Sequence, residues 1–379
     1  MTLIYITFLS LLGVLLAVDL VFLNRGSHVI GVAKALRQTG FWFLVAMAFN
    51  VGVYLLYDNH VAGLGGPAFP AAPAIEPGQP PIASAAKGAL HDALMPENGR
   101  EAAVMFFQGY LLEFMLSLDN MMVIAIIINY FRVPPKYQHR VLFWGIIGAV
   151  ALRGALIGLG VAIVSKFLWV LYLFGAFLVW TALKLWRAGD EEPPDFDQNL
   201  IVRAARAIFR VTPDYDGDRF FSRLDGKLAI TPMLLALLVV DVADVVFAVD
   251  SIPAIFGTTL DPFLVLTSNC FAILGLRSLY FAVAALTRSF RYLKLAIILI
   301  LGFIGVKMLL PALDLIPGVE KAGIDFHLSP LLSLGIIAAI MLVGIVASIV
   351  NPTKAEAEQE GSGNATDSPS ESHDRRNGS

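Results

Sequence analysis

Two apolar stretches of this chain carry acids at depths where acids are costly. Glu113, Ser117, Asp119 and Asn120 fall in one stretch, and Asp241, Asp244, Asp250 and Ser251 fall in the other. An ionised carboxylate at mid-bilayer costs about 2.5–3.5 kcal/mol on insertion scales, so a group of them needs a cation, a proton or a basic partner. Carboxylate, amide and hydroxyl oxygens are hard donors, suited to Mn²⁺, Ca²⁺ or Mg²⁺ and unsuited to Cu⁺ or Zn²⁺. Helical spacing sorts these side chains. Glu113, Ser117 and Asn120 share one face, and Asp241, Asp244 and Ser251 share another. Asp119 and Asp250 fall off those faces. Pro253 follows Asp250 closely and disfavours helical continuation. Both segments are therefore expected to unwind, near Asp119–Asn120 and near Asp250–Ser251. That would turn each Asp inward and free backbone carbonyls as ligands.

The elements that must position these residues are membrane spans. Of 379 residues, 57% are hydrophobic and 15% charged, with a net charge of −3. A soluble domain carries about 25% charged residues. Mean hydropathy is +0.74, and the apolar runs alternate with short charged connectors. Their spacing predicts an all-α polytopic membrane protein of about nine spans, each near the ~20 residues a bilayer requires. The expected spans are 2–23, 40–57, 103–129, 141–161, 167–186, 229–250, 263–285, 294–310 and 330–350. Basic residues concentrate after the first, third, fifth and seventh spans, for example Arg132, Lys136 and Arg140. By the positive-inside rule the N-terminus lies outside and the C-terminus in the cytoplasm. The first span lacks a basic leader and reads as an anchor, not a cleaved signal.

One cysteine, Cys270, excludes an internal disulfide and a cysteine-cluster metal site. The six histidines, at 28, 60, 91, 139, 327 and 373, all fall in connectors or the tail. Haem, blue-copper and zinc-type sites within the bilayer are therefore not expected. The organisation reads as two helices over 1–57, an external Pro/Ala/Gly-rich loop over 58–102, and a three-helix unit over 103–186. A charged cytoplasmic loop covers 187–228, with a short amphipathic helix expected at 199–210. A second three-helix unit covers 229–310, an external loop and last span cover 311–350, and a disordered cytoplasmic tail covers 351–379.

The two three-helix units share landmarks in order. Each opens with an acid, five residues, then an Asp followed by a small polar side chain. The next span carries Arg153 or Arg277, and the third carries Lys184 or Lys307. Three spans per copy is odd, so the second copy crosses the membrane in the opposite sense. Such a 3+3 inverted repeat, with a polar site at the midplane, is the signature of secondary transporters. Static ion pairing of the acids with Arg153, Arg277, Lys184 and Lys307 is the structural alternative. Asp19 and Asn50 read as end-of-helix polar groups, and Asn269 as a supporting amide near Arg277. Gly154 and Gly158 allow close helix packing.

These residues closely resemble the TerC family, in particular its Alx-like bacterial members. The run from Tyr110 through Asn120 is similar to one family signature. The run from Asp244 through Phe256 is similar to the second, continuing through Asp261, Asn269 and Arg277. Asp19 and Asn50 also match family positions. The resemblance covers about residues 10–350. It implies a plasma-membrane metal exporter of the LysE superfamily, most often associated with Mn²⁺ efflux, with an older association with tellurite resistance. By match, the metal positions are Glu113, Asp119, Asn120, Asp241, Asp244, Asp250 and Ser251. Ser117, Asn269, Arg153, Arg277, Lys184 and Lys307 are expected as supporting or gating residues. The sequence departs from the family at Asp241, where Glu is commoner, and at Phe114, where Lys is commoner. The 58–102 loop is also longer than usual.

The expectation is an exporter of divalent cations, Mn²⁺ foremost, coupled to proton antiport. It has no permanently bound cofactor, no nucleic-acid partner and no enzymatic nucleophile system. A Ca²⁺/H⁺ exchanger is the nearest alternative. A non-transporting membrane scaffold linked to metal or tellurite stress is the alternative of a different class.

Overall fold

The computed structural model describes residues 2–19, 32–65, 94–187, 203, 209–224, 226–276, 278–280, 291–311 and 328–350. Within them run nine α-helices: α1 Thr2–Val18, α2 Val32–Asp58, α3 Gly99–Tyr130, α4 Pro135–Lys166, α5 Val170–Arg187, α6 Pro232–Phe256, α7 Pro262–Leu274, α8 Arg291–Leu309 and α9 Pro330–Val350. Seven are long and apolar enough to cross a membrane, and α1 and α7 are shorter apolar helices. The chain is an all-α polytopic membrane protein. Large apolar side chains on the outer faces, such as Leu44, Leu159, Trp180 and Val343, are exposed, as bilayer-facing surfaces require.

Local chemistry sets where the helices begin. Asn98 caps α3 by accepting from the Glu101 amide at 2.9 Å, while Glu101 reaches back to the Glu97 amide at 3.0 Å. This reciprocal pairing satisfies two donors that a helix start leaves open. Pro135, Pro232 and Pro262 open α4, α6 and α7, where a missing amide hydrogen costs nothing. Asp261 caps α7 through the amides of Phe263 and Leu264 at 2.8 and 3.2 Å.

Neither expected break exists. α3 continues through Asp119–Asn120, and α6 continues through Asp250–Ser251 to Phe256. Pro253 lies in the last turn of α6. There it removes one backbone bond, to the Val249 carbonyl, and crowds that same carbonyl, yet the helix stays continuous. In lipid, an intact helix keeps every other backbone group satisfied. The seventh span, read as 263–285, is helical over Pro262–Leu274, with residues 281–290 outside the described set. His139, read as a connector residue, falls in the first turns of α4.

α3 is the most enclosed of the spanning helices. The packing is reciprocal. α3 packs on α7 and α4 on α6; α3 meets α6, α4 meets α7, and α5 lies along α8. At the α5–α8 contact a Cβ on Gly175 would come within 3.0 Å of the Gly305 carbonyl oxygen. A Cβ on Gly305 would lie 2.8 Å from that of Gly175. Only hydrogen at both positions permits this approach. A second core, rich in Phe8, Phe49, Phe106, Phe263 and Phe271, joins α1 and α2 to α3 and α7. The closest ring pair is Phe49–Phe271, with centroids 4.4 Å apart.

The expected helix over 199–210 lies outside the described residues, apart from Arg203 and residues 209–210. Further along the same connector is a two-stranded antiparallel hairpin, β1 Phe221–Leu224 and β2 Lys227–Ile230. Residues 215–218 of this connector dock on the turn between α3 and α4 and the start of α4. Tyr215 Oη donates to the Phe131 carbonyl at 2.7 Å, and Arg140 pairs with Asp218.

Candidate functional site

Glu113, Ser117 and Asn120 share one face of α3, and all three are buried. Against that face α4 places Arg153, only 1% exposed, and α6 places Asp244. The guanidinium grips Asp244 through two donors: Nε donates to Oδ2 at 2.9 Å and Nη2 to Oδ1 at 2.7 Å. Its Nη1 forms an ion pair with Glu113 Oε1. Ser117 Oγ, one turn along α3, donates to that same oxygen at 3.1 Å. Three helices thus meet in one charge cluster, two carboxylates around one guanidinium. The planar fork of arginine can serve two carboxylates at once, which the point charge of lysine does less well.

The cluster leaves oxygen and amide groups unsatisfied. Glu113 Oε2, Asn120 Nδ2, Ser251 Oγ and Asn269 Nδ2 are buried with no hydrogen-bond partner among the described residues. So is Asp241 Oδ1. Such buried orphans are rare in folded proteins and point to an ion, a water or a functional demand. Asp241 lies one turn before Asp244 on α6 and faces α4. A Cβ on Gly148 would lie 2.7 Å from its Oδ1 and 3.1 Å from its Oδ2, so only glycine lets the carboxylate sit against the α4 backbone. Beside it lies a cavity of about 30 Å³, lined by Met121, Ile124, Gly145, Ala149, Val240 and Asp244 among others. That is room for about one water. The charge of Arg153 also reaches Cys270, which places the Asn269–Cys270 segment of α7 near the cluster.

Asp119 and Asp250 lie elsewhere, because their helices do not break. Six residues along an unbroken helix turn a side chain about 120° away from the starting face. Asp119 is exposed and is attracted by Lys294 of α8. Asp250 accepts from Thr181 Oγ1 of α5 at 3.3 Å and is attracted by Lys184. Lys184 Nζ sits 5.6 Å from the ring centroid of Trp180. Each of these acids therefore turns toward one member of the α5–α8 pair. Lys307 lies in the last turn of α8 with no hydrogen bond or ion pair among the described residues. Arg277 lies outside the described residues. Among them, no three His, Cys, Asp or Glu side chains converge as a ready-made metal cluster.

Thr181, Lys294 and Gly148 escaped the sequence reading. Nothing in their local pattern marks them, since each matters only through a partner on another helix. Tyr57 escaped it too: its hydroxyl donates to Asp261 Oδ2 at 2.7 Å and ties α2 to the start of α7. The Asp-Pro pair opening an apolar run is a helix-start signal that could have found the acceptor.

The profile of the "Integral membrane protein TerC family" matches residues 98–356, from the cap of α3 through α9. A membrane protein of Myxococcus xanthus with no assigned function is 37% identical over 350 residues, 92% of each chain. A protein of Escherichia coli K12, provisionally named a membrane-bound redox modulator, Alx, is 35% identical over 345 residues, 89% of this chain and 92% of its own. The chloroplast thylakoid membrane protein TERC of Arabidopsis thaliana is 44% identical over 255 residues, 67% of this chain and 63% of its own. No solved structure gives a significant match. With that profile covering more than half of its length and relatives above 30% identity along most of it, the chain belongs to the integral membrane protein TerC family.

Proposed function

We propose that this protein exports divalent metal cations, Mn²⁺ foremost, through the site where α3, α4 and α6 meet. One observation carries the reading. Two buried carboxylates from different helices, Glu113 and Asp244, face a common point; Glu113 keeps one oxygen unsatisfied, as does Asp241 one turn from Asp244. The surrounding donors are carboxylate, amide and hydroxyl, the set that suits Mn²⁺, Ca²⁺ and Mg²⁺. Glu113, Asn120, Asp244 and Ser251 are the proposed metal-holding residues at this centre, and Asp241 is proposed as the third carboxylate that balances its charge. Asp119 and Asp250 are proposed as carboxylates on the route beside it, and as carriers of the exchanged proton. The triplets α3–α5 and α6–α8 are taken as inverted copies. Their reciprocal packing supports this, as does the way Asp119 and Asp250 each turn toward the opposite triplet's third helix. The basic ends of the helices are placed in the cytoplasm, in a bacterial plasma membrane, with the N-terminus outside.

The test is radiometal uptake into proteoliposomes holding the purified chain, with Mn²⁺, Ca²⁺ and Mg²⁺ compared with and without a pH gradient. Saturable Mn²⁺ flux that grows with the gradient is the expected result. Larger Ca²⁺ flux would assign a Ca²⁺/H⁺ exchanger instead. The pairing of Arg153 with both acids favours a second reading, a scaffold whose acids serve only as structural ion pairs. A folded protein with no flux of any of the three ions would establish it. The redox-modulator name of the Alx relatives finds no thiol couple here, because Cys270 is the chain's one cysteine and is buried.

A further inference from the structure

The arginine at the centre of the site is itself a cation bound where the cargo would bind. Its three inner nitrogens are all committed: Nε and Nη2 to Asp244, and Nη1 to Glu113. A metal cannot use both carboxylates while the guanidinium lies between them. The geometry also offers the guanidinium another acceptor. Side chains on a helix lean toward its N-terminus, so Arg153 leans back toward Ala149 and Gly148. Gly148 is the residue against which the Asp241 carboxylate rests, and Asp241 Oδ1 is buried with no hydrogen-bond partner among the described residues. Asp241 and Asp244 are neighbours on one face of α6, about 5–6 Å apart at Cβ, within a rotamer change of a long side chain. The 30 Å³ cavity bordered by Gly145, Ala149, Val240 and Asp244 lies beside that path.

We propose that Arg153 is a tethered competitor for the cargo: it holds the Glu113–Asp244 pair in this conformation and moves to Asp241 when a divalent cation takes its place. The inference rests on the transport reading and deepens it. Three ionised acids and one arginine carry a formal charge of −2, which one divalent cation neutralises and one monovalent cation does not. Selectivity for divalent ions then follows from charge balance as well as donor type. The tether also lowers apparent affinity by the fraction of time it leaves the pair free. A cargo site with such a competitor releases metal when the arginine returns.

The test is calorimetric titration of the purified full-length protein with Mn²⁺, alongside proteoliposome flux. Arg153→Gln should bind Mn²⁺ at least about tenfold tighter than wild type and transport it more slowly. Arg153→Lys, which keeps the charge but cannot bridge both acids, should also bind tighter, and it serves if the glutamine variant fails to fold. Asp241→Asn removes the docking acid and should weaken Mn²⁺ binding. In the Arg153→Gln background the same change should have no further effect; a further loss would make Asp241 a metal ligand and overturn its role as the dock. A wild-type chain that transports, with folded Arg153 variants binding Mn²⁺ no tighter, overturns the tether alone. A folded wild-type chain that neither binds nor moves a divalent cation overturns the transport reading and the tether together.

Discussion

Arg153 is held by acids from two different helices, and removing one acid leaves a buried guanidinium half-paired. Breaking a buried pair in this way costs about 3–5 kcal/mol. Asp244→Ala should therefore lower the thermal unfolding midpoint of the detergent-solubilised protein sharply. Replacing the whole cluster at once (Glu113→Gln, Arg153→Met and Asp244→Asn) should restore most of that midpoint, because no unpaired charge remains, while transport stays lost. Failure of the triple variant to recover would mean that the cluster supports the fold beyond its charge balance. Much of the cluster was legible in the sequence. The 113/117/120 stripe and the acids on α6 follow from helical spacing alone. Arg153 was one of four basic residues named as possible partners of the acids; that it is the one shared by Glu113 and Asp244 was not legible, because it depends on α3 and α4 both packing on α6. Asp119 and Asp250 were misplaced by the expectation of broken helices.

At the scale of elements, glycine contacts decide how closely the helices approach. Gly148 lets Asp241 rest on the α4 backbone. Gly148→Val would place branched carbon where the carboxylate sits, displacing it. Loss of Mn²⁺ flux with normal membrane insertion and a monodisperse gel-filtration profile is the expected outcome; undiminished flux would remove Asp241 from the site. The Tyr57–Asp261 bond works at the other end of α7. Tyr57→Phe should destabilise the protein by roughly 1.5–3 kcal/mol, the worth of a hydrogen bond to a charged group, read as a lower unfolding midpoint. Helix positions were legible from hydropathy; the caps Asn98 and Asp261, which set where α3 and α7 begin, went unread. The continuity of α6 was not legible, because Pro253 costs the preceding turn one bond and a crowded carbonyl without ending the helix, and the packing that holds that turn helical is not written in local sequence. The hairpin over 221–230 was missed in a charged loop, although Asp225-Gly226 between its strands is a two-residue turn signal.

The whole molecule is two triplets of helices packed reciprocally, with an aromatic core fastening α1 and α2 to α3 and α7. The order of Glu113, Arg153 and Lys184 against Asp244, Arg277 and Lys307 is what suggests that the triplets are copies of one another. Their crossing sense is open to experiment. On a Cys270→Ser background, a cysteine placed at Ala62 should react with an impermeant thiol reagent from outside intact cells, and one at Asp218 only after lysis. The opposite pattern would reverse the direction of transport. The most direct measurement is radiolabelled Mn²⁺ uptake into proteoliposomes by wild type and by Asp250→Ala, with folding of both checked by unfolding midpoint. The expected result is saturable uptake by wild type, enhanced by a pH gradient, and uptake by Asp250→Ala no greater than that of protein-free vesicles. Equal uptake by the two proteins would contradict the assignment of Asp250, and no uptake by folded wild type would contradict metal transport itself.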